Sequence, residues 1–129
     1  MLKDDDKAAV VKYRIERAFT ALDEAREVAQ LKRWTLVANR LYYSIFYMAT
    51  ALLLNNGIAT KSHSGAMHLF GEQFVKSGKI EKTDAQLYTR LFQMRQSGDY
   101  DDMFDIKEDD IVPYIEKVEA FLLKIKELI

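Results

Sequence analysis

Apolar residues recur at alternating steps of four and three along three long stretches of the chain, a spacing that places them on one face of an α-helix. The first stretch covers residues 7–30, the second covers residues 34–55, and the third runs from Glu108 or Asp109 to the end of the chain. On the second stretch, the face opposite the apolar one carries Asn39, Arg40, Tyr43, Tyr47 and Thr50. We therefore expect this helix to be covered on both sides.

Two shorter helices are predicted between the second and the last of these stretches. The first should begin with Ser62 or Ser64 as N-cap, because serine accepts a hydrogen bond from a free N–H group of the first turn, and run to about Lys76. The next should begin with Thr83 as N-cap and end near Gly98. Short connections between amphipathic helices favour antiparallel neighbours, so the sequence predicts an all-α fold, an up-and-down helical bundle of about five helices.

The composition is that of one globular domain. Hydrophobic residues make up 49% and charged residues 30% of the sequence, as in soluble globular proteins. A length of 129 residues is enough for one hydrophobic core and short for two typical domains. Five glycines and one proline are too few for the many turns of an all-β fold. We expect residues 1–129 to form a single domain in which residues 1–6 are a flexible tail.

The net charge of −1 hides an uneven distribution of charged side chains. Residues 34–100 carry seven basic and four acidic side chains, whereas residues 101–129 carry four basic and nine acidic ones. The mildly basic middle can attract a phosphate group. Its excess of charge is too small to neutralise the many phosphates of a duplex, so we predict no binding to double-stranded DNA.

Nothing in the sequence predicts secretion or membrane insertion. Residues 1–7 contain no apolar signal-peptide core. The longest nearly apolar run, Leu41 to Leu54, is shorter than the roughly 20 residues of a membrane span. The absence of cysteine fits a reducing compartment. We expect a cytoplasmic protein without a membrane partner.

Sequence motifs for cofactor and metal binding are absent. The chain has neither a G-x-x-x-x-G-K-[ST] loop nor a G-x-G-x-x-G fingerprint. His63 and His68 are five residues apart, which does not match the spacing of a helical zinc site. The acidic run from Asp99 to Asp110 lacks the glycine and the final glutamate of a calcium loop. The sequence therefore predicts no cofactor and no metal.

Three clusters of residues can carry chemistry, and the first lies on the second helix. Asn39, Arg40, Tyr43 and Tyr47 share one face, where a guanidinium and two phenols can bind a phosphate and stack on a base. The same phenols can instead fill a helix interface with their hydroxyls hydrogen-bonded. The spacing alone does not decide between these two roles.

The second cluster, Lys61, Ser62, His63 and Ser64, stands at the predicted start of the third helix. A helix N-terminus offers free N–H groups and a positive dipole end. An ammonium, an imidazole and two hydroxyls surround it here, so these residues are candidates for phosphate binding. Ordinary N-capping explains either serine equally well, and a histidine near a helix start is often structural.

The third cluster comprises Arg95, Asp99 and Tyr100. Arg95 falls on the apolar arc of the fourth helix, where a charge loses hydration unless it is paired. Asp99 is one helical turn further on. The two residues can form either a structural salt bridge or a poised active-site pair.

The order of these motifs resembles that of the HEPN domain, in particular its small stand-alone prokaryotic members. The resemblance rests on Asn39-Arg40-x-Tyr42-Tyr43, Lys61-Ser62-His63-Ser64-Gly65 and Arg95-x-x-x-Asp99-Tyr100, and it covers about residues 7–129. It implies an all-α up-and-down bundle that forms a homodimer and is encoded beside a nucleotidyltransferase as a toxin–antitoxin or defence pair. The implied function is RNA or nucleotide binding together with a nucleotidyltransferase-type protein partner.

Many HEPN proteins are metal-independent RNA endonucleases that use an arginine followed four to six residues later by a histidine. No histidine stands at those positions after Arg95, where Asp99 and Tyr100 are found instead. If this protein cleaves RNA without that histidine, His63 has to act as the general base, and Arg95 and Arg40 stabilise the charge that develops on the phosphoryl group. A ribonuclease with an atypical site and a purely structural helical dimer thus stay open as alternatives. Dimerisation is also expected because five helices offer little surface to cover both faces of the second one.

Overall fold

Five α-helices make up the computed structural model, which describes residues 3–100 and 105–129, with the side chains of Asp99 and Tyr100 outside the described part. The helices are α1 (Asp4–Gln30), α2 (Trp34–Asn55), α3 (His63–Phe70), α4 (Lys82–Tyr100) and α5 (Glu108–Lys126). A π-helical turn, Gly71–Val75, follows α3 directly. The described ranges contain no strand, and the predicted all-α helical bundle is confirmed.

Several helix ends differ from the predicted ones, whereas α2 has the predicted bounds. α3 ends at Phe70 and its π-helical turn at Val75, close to the predicted Lys76, and α5 ends at Lys126, short of the predicted end at Ile129. α1 begins at Asp4, so residues 4–6 form its first turn and not the tail expected from the sequence. Their three carboxylates stand at the positive end of the helix dipole, which favours helix there without any apolar residue. α4 begins at Lys82, so Thr83 lies inside the first turn and is not the N-cap, and the helix continues beyond its predicted end to Tyr100.

The start of α3 is fixed by Ser62. The hydroxyl oxygen of Ser62 accepts a hydrogen bond of 2.9 Å from the backbone N–H of Gly65, so Ser62 and not Ser64 is the N-cap. A Cβ atom at Gly65 would stand 2.7 Å from that oxygen, so the Ser62 side chain would have to shift if this residue carried a side chain. The cap places His63 at the first position of the helix.

α2 is the central helix of the bundle and packs against α1, α3, α4 and α5. Most of its nearly apolar run, Leu41 to Leu54, is buried. Ser44, also fully buried, donates a hydrogen bond of 2.8 Å to the carbonyl oxygen of Ala18 in α1. Other helices of the same chain therefore contact several sides of α2, and its polar face with Tyr43 and Tyr47 stays half-buried. None of the helices that the structure describes is long and apolar enough to cross a lipid bilayer.

α4 approaches the N-terminal end of α2 closely at Gly98. A Cβ atom at this position would stand 2.9 Å from Cγ2 of Thr35, tighter than ordinary van der Waals contact. The small residue thus lets the two helices meet. On the preceding turn of α4, Arg95 reaches the aromatic side chains of α2.

Candidate functional site

Aromatic rings of α2 and the imidazole at the start of α3 form one connected group, which we call the aromatic cluster. Its members are Tyr42, Tyr43, Phe46, Tyr47 and His63. The ring of His63 stacks on Phe46 with centroids 4.4 Å apart and an interplanar angle of 22°. Tyr43 and Tyr47 are one helical turn apart, with centroids separated by 6.1 Å. Because residues four apart share a helix face, the sequence spacing alone produces this row of rings.

The hydroxyl of Tyr42 lies 2.7 Å from Nδ1 of His63. Tyr42 is fully buried, and burial raises the pKa of its hydroxyl well above the ordinary value, so the hydroxyl keeps its proton. A buried hydroxyl proton needs an acceptor, and Nδ1 of a neutral imidazole is one. Tyr42 therefore donates to Nδ1, and the remaining proton of the neutral His63 ring lies on Nε2.

His63 is held in its neutral form around neutral pH. Burial lowers the pKa of His63 below its ordinary value, and the positive charge of Arg95 lowers this pKa further. A neutral imidazole with a proton on Nε2 is a hydrogen-bond donor at that atom. The side chain is half-buried, so part of it is accessible to a ligand.

Arg95 of α4 lies against two tyrosines of α2. Its Nη2 donates a hydrogen bond of 3.1 Å to the hydroxyl of Tyr43, and its Cζ is 5.5 Å from the ring centroids of both Tyr42 and Tyr43. These contacts are favourable to a cation that is half-buried. They are contacts of the kind that the apolar position of Arg95 requires. The side chain of the predicted partner Asp99 lies outside the described residues, so that pairing stays a prediction.

Arg40 reaches the same tyrosine from within α2. Its Cζ lies 5.2 Å from the centroid of Tyr43. Two of its nitrogens donate to Oδ1 of Asn39, at 2.8 and 3.1 Å, and a third is 3.3 Å from a carboxylate oxygen of Glu24 in α1. Both arginines that the sequence singled out therefore lie beside Tyr43, with Asn39 and Glu24 orienting one of them.

A cleft of about 280 Å³ opens beside the aromatic cluster, between α1, α2 and the segment that leads into α3. It is lined by Arg14, Phe46, Tyr47, Thr50, Thr60, Lys61, Ser62 and His63. Nη1 of Arg14 donates a hydrogen bond of 3.3 Å to the carbonyl oxygen of Thr50, which holds the guanidinium at the cleft wall. The lining residues include two basic side chains and no acidic one.

The structure thus groups most of the candidate residues. Asn39, Arg40, Tyr43, His63 and Arg95 are linked through Tyr43 and its neighbours. A further three candidates, Tyr47, Lys61 and Ser62, line the cleft. Ser64 is exposed and is not among the cleft residues. The side chains of Asp99 and Tyr100 lie outside the described part of the chain, so their predicted roles stay predictions.

Four residues of the site were not predicted from the sequence as site residues. Tyr42 and Phe46 look like core residues because they are aromatic and lie in a helix that is apolar on most sides. Arg14 lies in the cleft wall, and the Cζ atom of Arg17 lies 5.5 Å from the ring centroid of Tyr47. Both belong to the charged side of α1, which carries many other charged residues. The available signal was their spacing of three, which puts both on one face of α1.

No group of three or more His, Asp or Glu side chains that could hold a metal ion occurs within the two described ranges. Residues 101–104, which contain part of the acidic run considered above, are not covered by this statement. The donors that the site does offer are guanidinium, ammonium, imidazole and hydroxyl groups. Such a set is suited to anions rather than to cations.

Comparison with known proteins identifies the family. The family model of the HEPN domain matches residues 11–128. The chain belongs to the HEPN domain family. A UPF0332 protein of Thermotoga maritima is 36% identical over 97% of this chain and 95% of its own length. Two Methanocaldococcus jannaschii proteins named "Putative toxin" are 30% and 32% identical, each over 88% of this chain and over 77% and 84% of their own lengths.

Proposed function

We propose that this HEPN protein binds single-stranded RNA or a nucleotide at the aromatic cluster and its arginines. One observation carries the proposal: the guanidinium groups of Arg40 and Arg95 lie over the same ring, that of Tyr43, at 5.2 and 5.5 Å from its centroid. Two cations held near each other at a half-buried surface create a positive potential that attracts a phosphate. Guanidinium groups also match the geometry of phosphate oxygens.

The aromatic rings add a second attraction that a simple anion site lacks. Bases stack on tyrosine and histidine rings, and each stacked base contributes about 1–3 kcal/mol in single-strand binding proteins. Tyr43, Tyr47 and His63 are half-buried, so part of each ring is accessible to a ligand. Interleaved cations and rings favour a nucleic-acid strand over a purely anionic ligand such as sulfate.

His63 supports binding more than cleavage. A general base needs a free lone pair near the proton it removes. In the tautomer assigned above, the lone pair of Nδ1 accepts the Tyr42 hydroxyl proton, and Nε2 carries the ring proton. His63 therefore acts as a donor to a phosphate oxygen, and the ribonuclease alternative requires a different base or the opposite tautomer.

The toxin-type names of two relatives support a biological setting for this binding. We propose that the protein works as the HEPN component of a toxin–antitoxin or defence pair, as a cytoplasmic homodimer with a nucleotidyltransferase-type partner. Both the dimer and the partner rest on the family resemblance. Sedimentation of the purified protein at micromolar concentration tests the dimer, and a monomeric mass would refute it.

The binding experiment measures fluorescence anisotropy of a labelled single-stranded RNA with the wild type, Arg95→Ala, Arg40→Ala and Arg26→Ala. Arg26 serves as the matched control because it lies on α1 and pairs at 3.0 Å with Glu119. We expect weaker binding for the first two variants and unchanged binding for the control. Equal affinity of all four proteins would contradict the proposal. Circular dichroism of each variant shows that the fold is retained.

The same samples separate binding from cleavage. Structured RNA is incubated with the wild type and Arg95→Ala in the presence of EDTA. We expect intact RNA in both, and cleavage by the wild type that the variant lacks would establish the ribonuclease alternative. A wild-type protein that neither binds nor cleaves any RNA, and whose melting temperature is insensitive to phosphate, would favour the structural dimer.

A further inference from the structure

We propose that the site continues by one helical turn into a second nucleotide subsite, made by Arg14 and Arg17 of α1, Tyr47 of α2 and Lys61 before α3. The ligand is then a strand of at least two nucleotides, not a mononucleotide. This inference rests on the proposed function and adds residues on α1 that neither the sequence motifs nor the family match assigns. The first subsite is the one at Tyr43, with Arg40, Arg95 and His63.

The arginines of the second subsite are held in place by α2. Arg14 donates to the carbonyl oxygen of Thr50, and the Cζ atom of Arg17 lies 5.5 Å from the ring centroid of Tyr47. The neighbouring Tyr47 side chain also raises the pKa of Arg17 above its ordinary value, which agrees with this contact. Both guanidiniums are therefore ordered before a ligand arrives, which reduces the entropy lost on binding.

The two subsites repeat the same arrangement. In each, a tyrosine of α2 lies beside at least one arginine from a neighbouring helix: Arg95 of α4 beside Tyr43, and Arg17 of α1 beside Tyr47. The two rings are 6.1 Å apart, about one turn of helix. His63 lies next to both subsites, 5.8 Å from Tyr43 by ring centroids and in the wall of the cleft that Tyr47 lines.

The size and charge of the cleft fit part of a nucleotide. Its volume of about 280 Å³ is at the lower end for a small-molecule site, so it can hold a phosphate and sugar but does not enclose a whole nucleotide. Its basic lining residues, Arg14 and Lys61, face no acidic lining residue. The base of the bound nucleotide then stacks outside the cleft, on Tyr47.

The negative charge of Glu24 opposes phosphate binding at these arginines. Its carboxylate is 3.3 Å from Arg40, and its charge acts on Arg17 as well. Glu24 is partly exposed, with 41% of its side-chain surface accessible, so its ion pair is screened by water and weak. A phosphate can displace this carboxylate from Arg40, and Glu24 then lowers the affinity without abolishing binding.

The probes that test the second subsite are uridine 5′-monophosphate and a single-stranded oligouridine of eight nucleotides. Both probes are titrated into five proteins: the wild type, a double variant that combines Arg14→Ala with Arg17→Ala, Lys61→Ala, Arg40→Ala and the control Arg26→Ala. Lys61 is exposed, so its variant stays informative if the double variant folds poorly. Melting temperatures are recorded for every protein.

The double variant should bind the octamer roughly tenfold more weakly than wild type at moderate salt. The slope of log affinity against log salt is negative, and its magnitude should decrease by about 0.7 for each lost phosphate contact. Lys61→Ala should also weaken octamer binding and reduce its salt dependence, but by less than the double variant. Monophosphate binding should weaken less than octamer binding in both, because the subsite at Tyr43, with Arg40, Arg95 and His63, stays intact. Arg40→Ala should weaken binding of both probes.

Two results would overturn the second subsite while leaving the proposed function intact. In the first, the folded double variant and Lys61→Ala both bind the octamer as tightly as the control Arg26→Ala does. The other is a wild-type octamer affinity no higher than that of the monophosphate. Displacement of the octamer by poly-glutamate of equal charge at the same concentration would instead identify an acidic protein segment as the occupant. Failure of Arg40→Ala and Arg95→Ala to weaken any binding would count against the proposed function itself.

Discussion

The hydroxyl of Tyr42 and Nδ1 of His63 form a hydrogen bond of 2.7 Å that joins the core of the bundle to its candidate site. Tyr42 is fully buried, whereas His63 is half-buried at the first position of α3. The bond fixes both the orientation and the tautomer of the imidazole. It therefore determines which proton the site offers to a ligand.

Replacing Tyr42 by phenylalanine removes this bond and little else. We expect Tyr42→Phe to reduce the free energy of unfolding by about 1 kcal/mol, the net value of a typical hydrogen bond. The pKa of His63 should rise, because Nδ1 loses the donor that favours its unprotonated form. Denaturant unfolding measures the first effect and an NMR titration of the ring protons the second, with His68→Gln used to assign the signals. A lower His63 pKa in the variant would contradict the assigned tautomer.

The lowered pKa of His63 predicts how stability depends on pH. Its folded-state pKa lies below the ordinary value of about 6.5, so the unfolded chain binds a proton first as the pH falls. Stability is unaffected by His63 above that ordinary value and is lost as the pH drops from there toward the folded-state pKa. Between pH 7.5 and 5.5 the wild type should lose more stability than His63→Gln. Identical losses would show that His63 is not held neutral by the fold.

Glu24→Gln should increase RNA affinity. The substitution keeps the shape of the side chain but removes the charge that competes with phosphate for Arg40. The stability cost should be small, between about 0 and 1 kcal/mol, because the ion pair is partly exposed. Anisotropy titration at two salt concentrations checks this, with Glu119→Gln as a charge-matched control at the Arg26 ion pair. Weaker binding by Glu24→Gln than by the control would mean that Glu24 positions Arg40 productively.

The two serines around His63 should differ in their effect on stability. Ser62→Ala removes the N-cap of α3 and should cost about 1 kcal/mol, whereas Ser64→Ala, at an exposed position, should be close to neutral. Thermal unfolding of the two variants compares them directly. Equal destabilisation would show that the cap is shared between the serines.

Periodicity predicted the long helices well because their apolar faces are continuous. The bounds of α2 are those expected, since apolar residues and turn residues mark both of its ends. The first turn of α1 escaped this reasoning because residues 4–6 are all aspartate and carry no periodic signal. Thr83 is a residue type that often caps helices, but α4 starts one residue before it, a difference within the usual spread of helix-end assignments.

The site was predictable where short motifs carried it and not where packing created it. Arg40, His63 and Arg95 stand out because a charge or an imidazole lies among apolar and phenolic residues. Their meeting around Tyr43 depends on α4 approaching α2, which the sequence does not specify directly. α1 carries many other charged residues, so the sequence does not single out Arg14 and Arg17. Only the packing of α1 against α2 shows that these two contact Thr50 and Tyr47.

The location of binding tests the account most directly. A two-dimensional NMR titration of the isotope-labelled protein with the oligouridine octamer follows the side-chain N–H signals of arginine together with the ring signals of histidine. We expect saturable shifts at Arg40, Arg95 and His63, with the signals of Arg90, in the groove between α4 and α5, unchanged. Shifts confined to Arg90 and its neighbours in that groove, with Arg40, Arg95 and His63 unmoved, would contradict the account.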